Sequence, residues 1–153
     1  MKPLIVLISA SIISGFAIKF VKRTYNFQLS ARVGMSMMLL FTAMGHFMFT
    51  EGMTMMVPEL IPFKKELIYF TAIIEIAGAI GLHLRQYRLA TGWLLILFFI
   101  LIMPANIKAS IDHLDYQNAN YNGFGLQYLW FRIPLQILFI AWVYFSSIKI
   151  FKR

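Results

Sequence analysis

Five side chains in this sequence are of types that can exchange protons or hold a polar ligand, and all fall inside apolar stretches: His46, Glu75, Asn106, Arg132 and Gln136. Glu75 is the most demanding of them. It stands in "YFTAIIEIAGAIGLHL", residues 69–84, with no charged residue nearer than Glu66 or Arg85. A carboxylate in hydrocarbon is costly, so it either pairs with a cation or keeps its proton. Two partners offer themselves, Arg132 in the last apolar stretch and His46 in the second, and the sequence leaves both pairings open. A carboxyl with a raised pKa beside an imidazole suits proton exchange near neutral pH. A carboxylate held by a guanidinium suits the fixing of helix register.

The elements that must position these groups are helices in a membrane. Hydrophobic residues make up 60% of the chain and charged ones only 13%, with a mean hydropathy of +0.74. Soluble domains are nearer half and a quarter. Apolar stretches at 3–21, 31–50, 67–84, 89–107 and 126–148 can each cross a hydrocarbon core of about 30 Å, which takes roughly 20 residues. The expected fold is all-α and polytopic, with five spans. The first is read as a retained span. Its "SAS" is a poor cleavage site, and its basic cluster, Lys19, Lys22 and Arg23, follows the apolar run instead of preceding it.

The net charge of +8 sits mostly at span ends, where basic residues set topology and meet anionic headgroups. No basic surface with interleaved aromatics remains to track a phosphate backbone, which argues against nucleic acid as a partner. The chain has no cysteine. That excludes in-chain disulfide exchange, iron–sulfur clusters and covalent haem attachment, so a redox role here requires a quinone, another cofactor or a partner protein.

Charge also orients the spans. The first loop holds Lys19, Lys22, Arg23 and Arg32, the third Arg85 and Arg88, and the tail Lys149, Lys152 and Arg153, all without an acid. The second and fourth loops mix signs, with Glu51, Glu59, Glu66, Lys64 and Lys65 in one and Lys108, Asp112 and Asp115 in the other. The positive-inside rule then puts the N-terminus outside and the C-terminus in the cytoplasm. Tyr69, Tyr116, Tyr121, Tyr128 and Trp130 supply an outer aromatic belt. Counting inward from the outer ends at ~1.5 Å per residue, Glu75 lies about 14 Å deep and Arg132 about 9 Å. His46 and Asn106 lie close to the outer ends of their spans, and Gln136 one turn below Arg132. All five polar residues project into the outer half of the membrane.

Other features have plainer readings. Pro104 and Pro134 free the carbonyls of Ile100 and Trp130, which need internal donors such as Asn, Gln or Arg side chains. They make either ordinary kinks or a pocket between the fourth and fifth spans. Gly78 and Gly81 allow close helix packing. His83 reads as an interfacial residue, and no histidine spacing resembles a metal site. Eight of the ten methionines fall between Met35 and Met56, a packing run more than a copper site. In "MVPELIPF" the two prolines bound a short amphipathic segment at the outer surface.

The stretches "GHFMFTEGMTMMVPELIP", "LIYFTAIIEIAGAIGLHL" and "LATGWLLILFFILIMPANIKASI" resemble the DoxX family of small membrane proteins. The similar features are a glycine–histidine at one span end, a "MVPxxxP" loop, a glutamate in the next span and a "PANI" near the end of the following one. The resemblance runs from about Ala31 to Trp142. It implies a four-helix membrane bundle, 31–153, with residues 1–30 as an added span and basic loop. It also implies a bacterial inner membrane and association with redox systems. The matching positions are His46, Pro58, Pro62, Glu75, Pro104 and Asn106.

Two functional expectations follow. In the first the chain is a membrane subunit of a quinone-linked oxidoreductase system. Glu75 and His46 exchange protons, and Asn106, Arg132, Gln136 and the Pro104 kink shape the site for a quinone headgroup. In the second it is a non-enzymatic bundle that binds a lipid or other lipophilic molecule, or assembles a partner membrane protein. Its partners would then be lipids, a lipophilic small molecule, an oxidoreductase subunit or a second copy.

Overall fold

The computed structural model describes residues 2–149, whose regular structure is all helical, with no strand among them. Lys152 and Arg153, counted in the basic tail, lie outside the described residues. The helices are α1 (Lys2–Lys22), α2 (Phe27–Met48), α3 (Thr50–Met56), α4 (Lys64–Gly81), α5 (Arg88–Leu101), α6 (Met103–Ile111) and α7 (Leu126–Val143). A π turn, Tyr144–Ile148, prolongs α7.

The centre of the bundle is α2. Asn26 caps its start, accepting the Leu29 N–H at 3.0 Å, which satisfies one of the orphan amides of the first turn. Its buried stripe, Met35, Met38 and Leu39, clusters with Ala79 and Leu82 from the α4 side and Leu135 and Phe139 from α7. Lipid is as apolar as these side chains, so the helices are held by close fit and hydrogen bonds. Small residues provide the fit. A Cβ on Gly34 would stand 2.7 Å from the Leu7 carbonyl of α1, and one on Gly78 would stand 2.7 Å from Leu95 of α5.

Among the described residues four helical segments are long and apolar enough to cross a membrane: Lys2–Val21, Phe27–Met48, Arg88–Ile111 and Leu126–Ile148. The first is nearly unburied and packs mainly on α2 as a peripheral member. α4 is not among the four, because its eighteen residues include Lys64, Lys65, Glu66 and Glu75.

Three local expectations need correction. α3 ends before Pro58, and the "VPELIPF" segment is a turn in which the Ile61 N–H reaches the Pro58 carbonyl at 3.1 Å. The two prolines break helix on both sides, so the helical segment lies before them. The α5–α6 span reopens at Ile102, two residues ahead of Pro104, and the carbonyl supplied with an outside donor is Phe99, by Gln136 Nε2. His83 is more than interfacial: its Nε2 lies 3.0 Å from Ser36 Oγ of α2.

Candidate functional site

Where α2 meets α4, His46 and Glu75 come together. The neighbouring Phe47 and Tyr69 rings stack at 5.6 Å, aligning the two helices. Glu75 is 5% exposed, and its Oε2 lies 3.3 Å from His46 Nε2. At that distance the two groups feel one another's charge, yet the angle falls short of a hydrogen bond and leaves Oε2 buried without one. Of the two pairings the sequence left open, the structure forms His46–Glu75. The ion pairs among the described residues are this one and Lys108–Asp112.

The other ring nitrogen completes the arrangement. His46 Nδ1 is 3.3 Å from Thr71 Oγ1, and that hydroxyl donates to the Ile68 carbonyl at 2.7 Å. A threonine hydroxyl has a single proton to give. With it on Ile68, Thr71 faces His46 as an acceptor, and the Nδ1 nitrogen carries the hydrogen. His46 Nε2 is then the ring nitrogen that faces Glu75 Oε2.

The remaining predicted residues take other partners. Asn106 is buried and donates Nδ2 to Ile102 O at 3.2 Å, one turn back on its own helix across the break. Gln136, also buried, donates to Phe99 O and ties α7 to the end of α5. Pro104 occupies the first turn of α6, where its missing N–H removes no bond. Asn106 and Gln136 thus supply donors to backbone carbonyls at the α5–α6 break. Arg132 lies over the Tyr128 ring, 5.0 Å from its centroid, a cation–π contact on the same helix. No group of three His, Asp or Glu side chains that could hold a metal ion occurs among the described residues.

A family model described as a domain of unknown function (DUF8561) matches residues 35–147, well over half of the chain. The chain belongs to that family. The matched segment begins inside α2, ends within the π turn, and contains His46, Glu75, Asn106, Arg132 and Gln136. No curated protein and no solved structure matches.

Sequence reasoning missed a second polar cluster at the opposite end of the bundle. Arg32, placed in the first loop on charge alone, is buried in α2 and donates Nη1 to Ser146 O at 3.0 Å. Trp142 Nε1 donates to Ala31 O at 2.9 Å beside it. The second apolar stretch, 31–50, already contained Arg32, whose charge was counted with the first loop.

Proposed function

We propose that this chain is an integral membrane subunit of a quinone-linked redox system, in which His46 and Glu75 form the proton-exchange pair. The observation that carries this reading is the buried carboxyl–imidazole contact between His46 and Glu75. Ionisable groups at membrane depth are expensive and mark proton or ligand pathways. The resemblance to DoxX-like proteins supports the same reading.

In this reading α4 also crosses the membrane, giving five spans with the N-terminus outside and the C-terminus in the cytoplasm of a bacterial inner membrane. Its charges Lys64, Lys65 and Glu66 fall in its first turn, at the interface, and Glu75 faces α2 instead of lipid. A quinone becomes a quinol by taking up two electrons and two protons. The electrons come from a partner oxidoreductase subunit. The His46–Glu75 pair would hold a proton ready for a carbonyl oxygen of the headgroup, and the second proton, like the replacement of the first, would come from water at the outer face. Purified protein should carry extractable quinone, and Glu75→Gln should lower its occupancy at least tenfold. Protein free of quinone, with unchanged redox behaviour in Glu75→Gln, would defeat the proposal.

A second reading is favoured by one observation. Two surface grooves, of about 430 and 280 Å³, lie at the Arg32 end, one between α4 and α5 and one between α2 and α7. In that reading the bundle binds lipid or assembles a partner, and His46–Glu75 fixes the register of α2 on α4. Glu75→Gln would then lower thermal stability without a redox effect.

A further inference from the structure

The Arg32 guanidinium is buried and only partly hydrogen-bonded. Arg32 is 7% exposed, its Nη1 is committed to Ser146 O, and its Nε is buried with no hydrogen-bond partner. In a guanidinium Nη1 lies away from the Nε–H. The unpartnered Nε–H therefore belongs to the edge shared with Nη2, the edge that grips an oxyanion through two parallel bonds. The Ser146 carbonyl is presented by the π turn, a local widening that recurs at functional sites.

More positive charge stands nearby. Arg88 donates Nε to Leu82 O at 3.1 Å and lies close enough to Arg32 for the two charges to repel, and His83 feels both. Ser36 joins the cluster through Ala79 O at 2.8 Å and His83 Nε2 at 3.0 Å. His83 is exposed and Arg88 half-buried, so the cluster opens to solvent at its rim. All six acidic side chains of the chain lie between Glu51 and Asp115, and none forms an ion pair with Arg32. A buried guanidinium next to like charge is unfavourable until a negative group enters.

We infer that the Arg32 cluster is an oxyanion site that takes a phosphate group. Arg32 forms its floor, gripping two phosphate oxygens through the Nε–Nη2 edge, and His83 and Arg88 form its rim. Two sources supply that chemistry. One is the headgroup of an anionic lipid, with an acyl chain in the adjoining groove lined by Phe27, Trp142 and Phe145. The other is a free phosphate compound from the aqueous side. The site is independent of the His46–Glu75 reading.

The test is thermal unfolding of the purified full chain in two arms. One arm titrates inorganic phosphate in detergent against chloride at matched ionic strength. The other compares nanodiscs of phosphatidylcholine alone with nanodiscs containing phosphatidylglycerol. A saturable rise in Tm of a few degrees is expected in at least one arm. A response confined to phosphate assigns the free compound, and one confined to phosphatidylglycerol assigns the headgroup. Arg32→Gln should abolish the shift, and Arg32→Lys, which lacks the bidentate edge, should weaken it at least tenfold in concentration. Should Arg32→Gln not fold, the exposed rim variant His83→Gln supplies the comparison and should right-shift the titration. No rise in either arm, a rise that chloride reproduces, or an unchanged titration in these variants would overturn the inference.

Discussion

At the scale of single residues, the His46–Glu75 contact predicts a distinct pattern of stabilities. Glu75→Gln keeps the shape and offers an amide N–H to Nε2, so it should cost only about 1 kcal/mol. His46→Ala strands a buried carboxyl and should cost about 1–3 kcal/mol. The double variant should fall short of the sum by at least ~0.5 kcal/mol, as contacting residues do. Reversible thermal or denaturant unfolding measures all three, and strict additivity would mean that the two groups do not interact. Gln136 gives a second case. Gln136→Leu leaves the Phe99 carbonyl without its side-chain donor, and stability should drop by about 1–3 kcal/mol, the cost of an unsatisfied buried polar group. Losing nothing would show that the break at Ile102 is satisfied from elsewhere.

Elements decide what holds the outer loop against the bundle. A Cβ on Gly52 of α3 would collide with the backbone of Tyr116, which no side-chain movement relieves. Gly52→Ala should therefore undock the segment 112–125 and raise amide exchange there, while α2 and α4 keep their protection. That same segment is stabilised by Asp115, whose carboxylate accepts from Asn118 Nδ2 at 2.8 Å and from the Gln117 N–H at 3.0 Å. The Asn118 amide is the main cause holding the Asp115 carboxyl below its ordinary range, with the backbone bonds adding to it. A depressed carboxyl pKa means stability that is present above the unfolded value, about 3.9, and lost as pH falls through the folded value. Loop amides should thus exchange faster once pH drops below ~4, and Asp115→Asn should remove that pH dependence. A profile identical in Asp115→Asn would contradict the assignment.

Legibility in the sequence differed by element for physical reasons. Long apolar runs made α1, α2, α5 and α7 visible, because hydropathy alone reports a lipid-facing helix. In the last loop the closing bridge forms between Asp115 and Asn120, where side-chain hydrogen bonds choose the register. Depth counting put both His46 and Glu75 in the outer half of the membrane, but height says nothing about rotation. Arg132 lies in that half too, and the structure turns it onto Tyr128. The Arg32 cluster was invisible for a related reason. Positive charge near a span end reads as a topology signal whether the side chain snorkels or turns inward, and only the packed helices distinguish the two.

For the whole molecule, the proposed arrangement is five spans with one end acidic and mixed, the other uniformly basic. Because the chain has no cysteine, single cysteines report sidedness without background. Asn118→Cys should react with a membrane-impermeant maleimide in intact cells, and Gln86→Cys only after lysis. Labelling of both in intact cells, or the reverse pattern, would contradict the orientation and with it the placement of His46 and Glu75 in the outer half.

The central claim is that Glu75 and His46 hold a proton that moves when a quinone is reduced beside them. Redox-difference infrared spectroscopy on quinone-loaded protein observes this directly through the carboxyl C=O stretch. A carboxyl band that changes between the oxidised and reduced states, vanishes in Glu75→Gln and shifts in His46→Gln is the expected result. A difference spectrum without a carboxyl band, or with one that persists unchanged in Glu75→Gln, would contradict the claim.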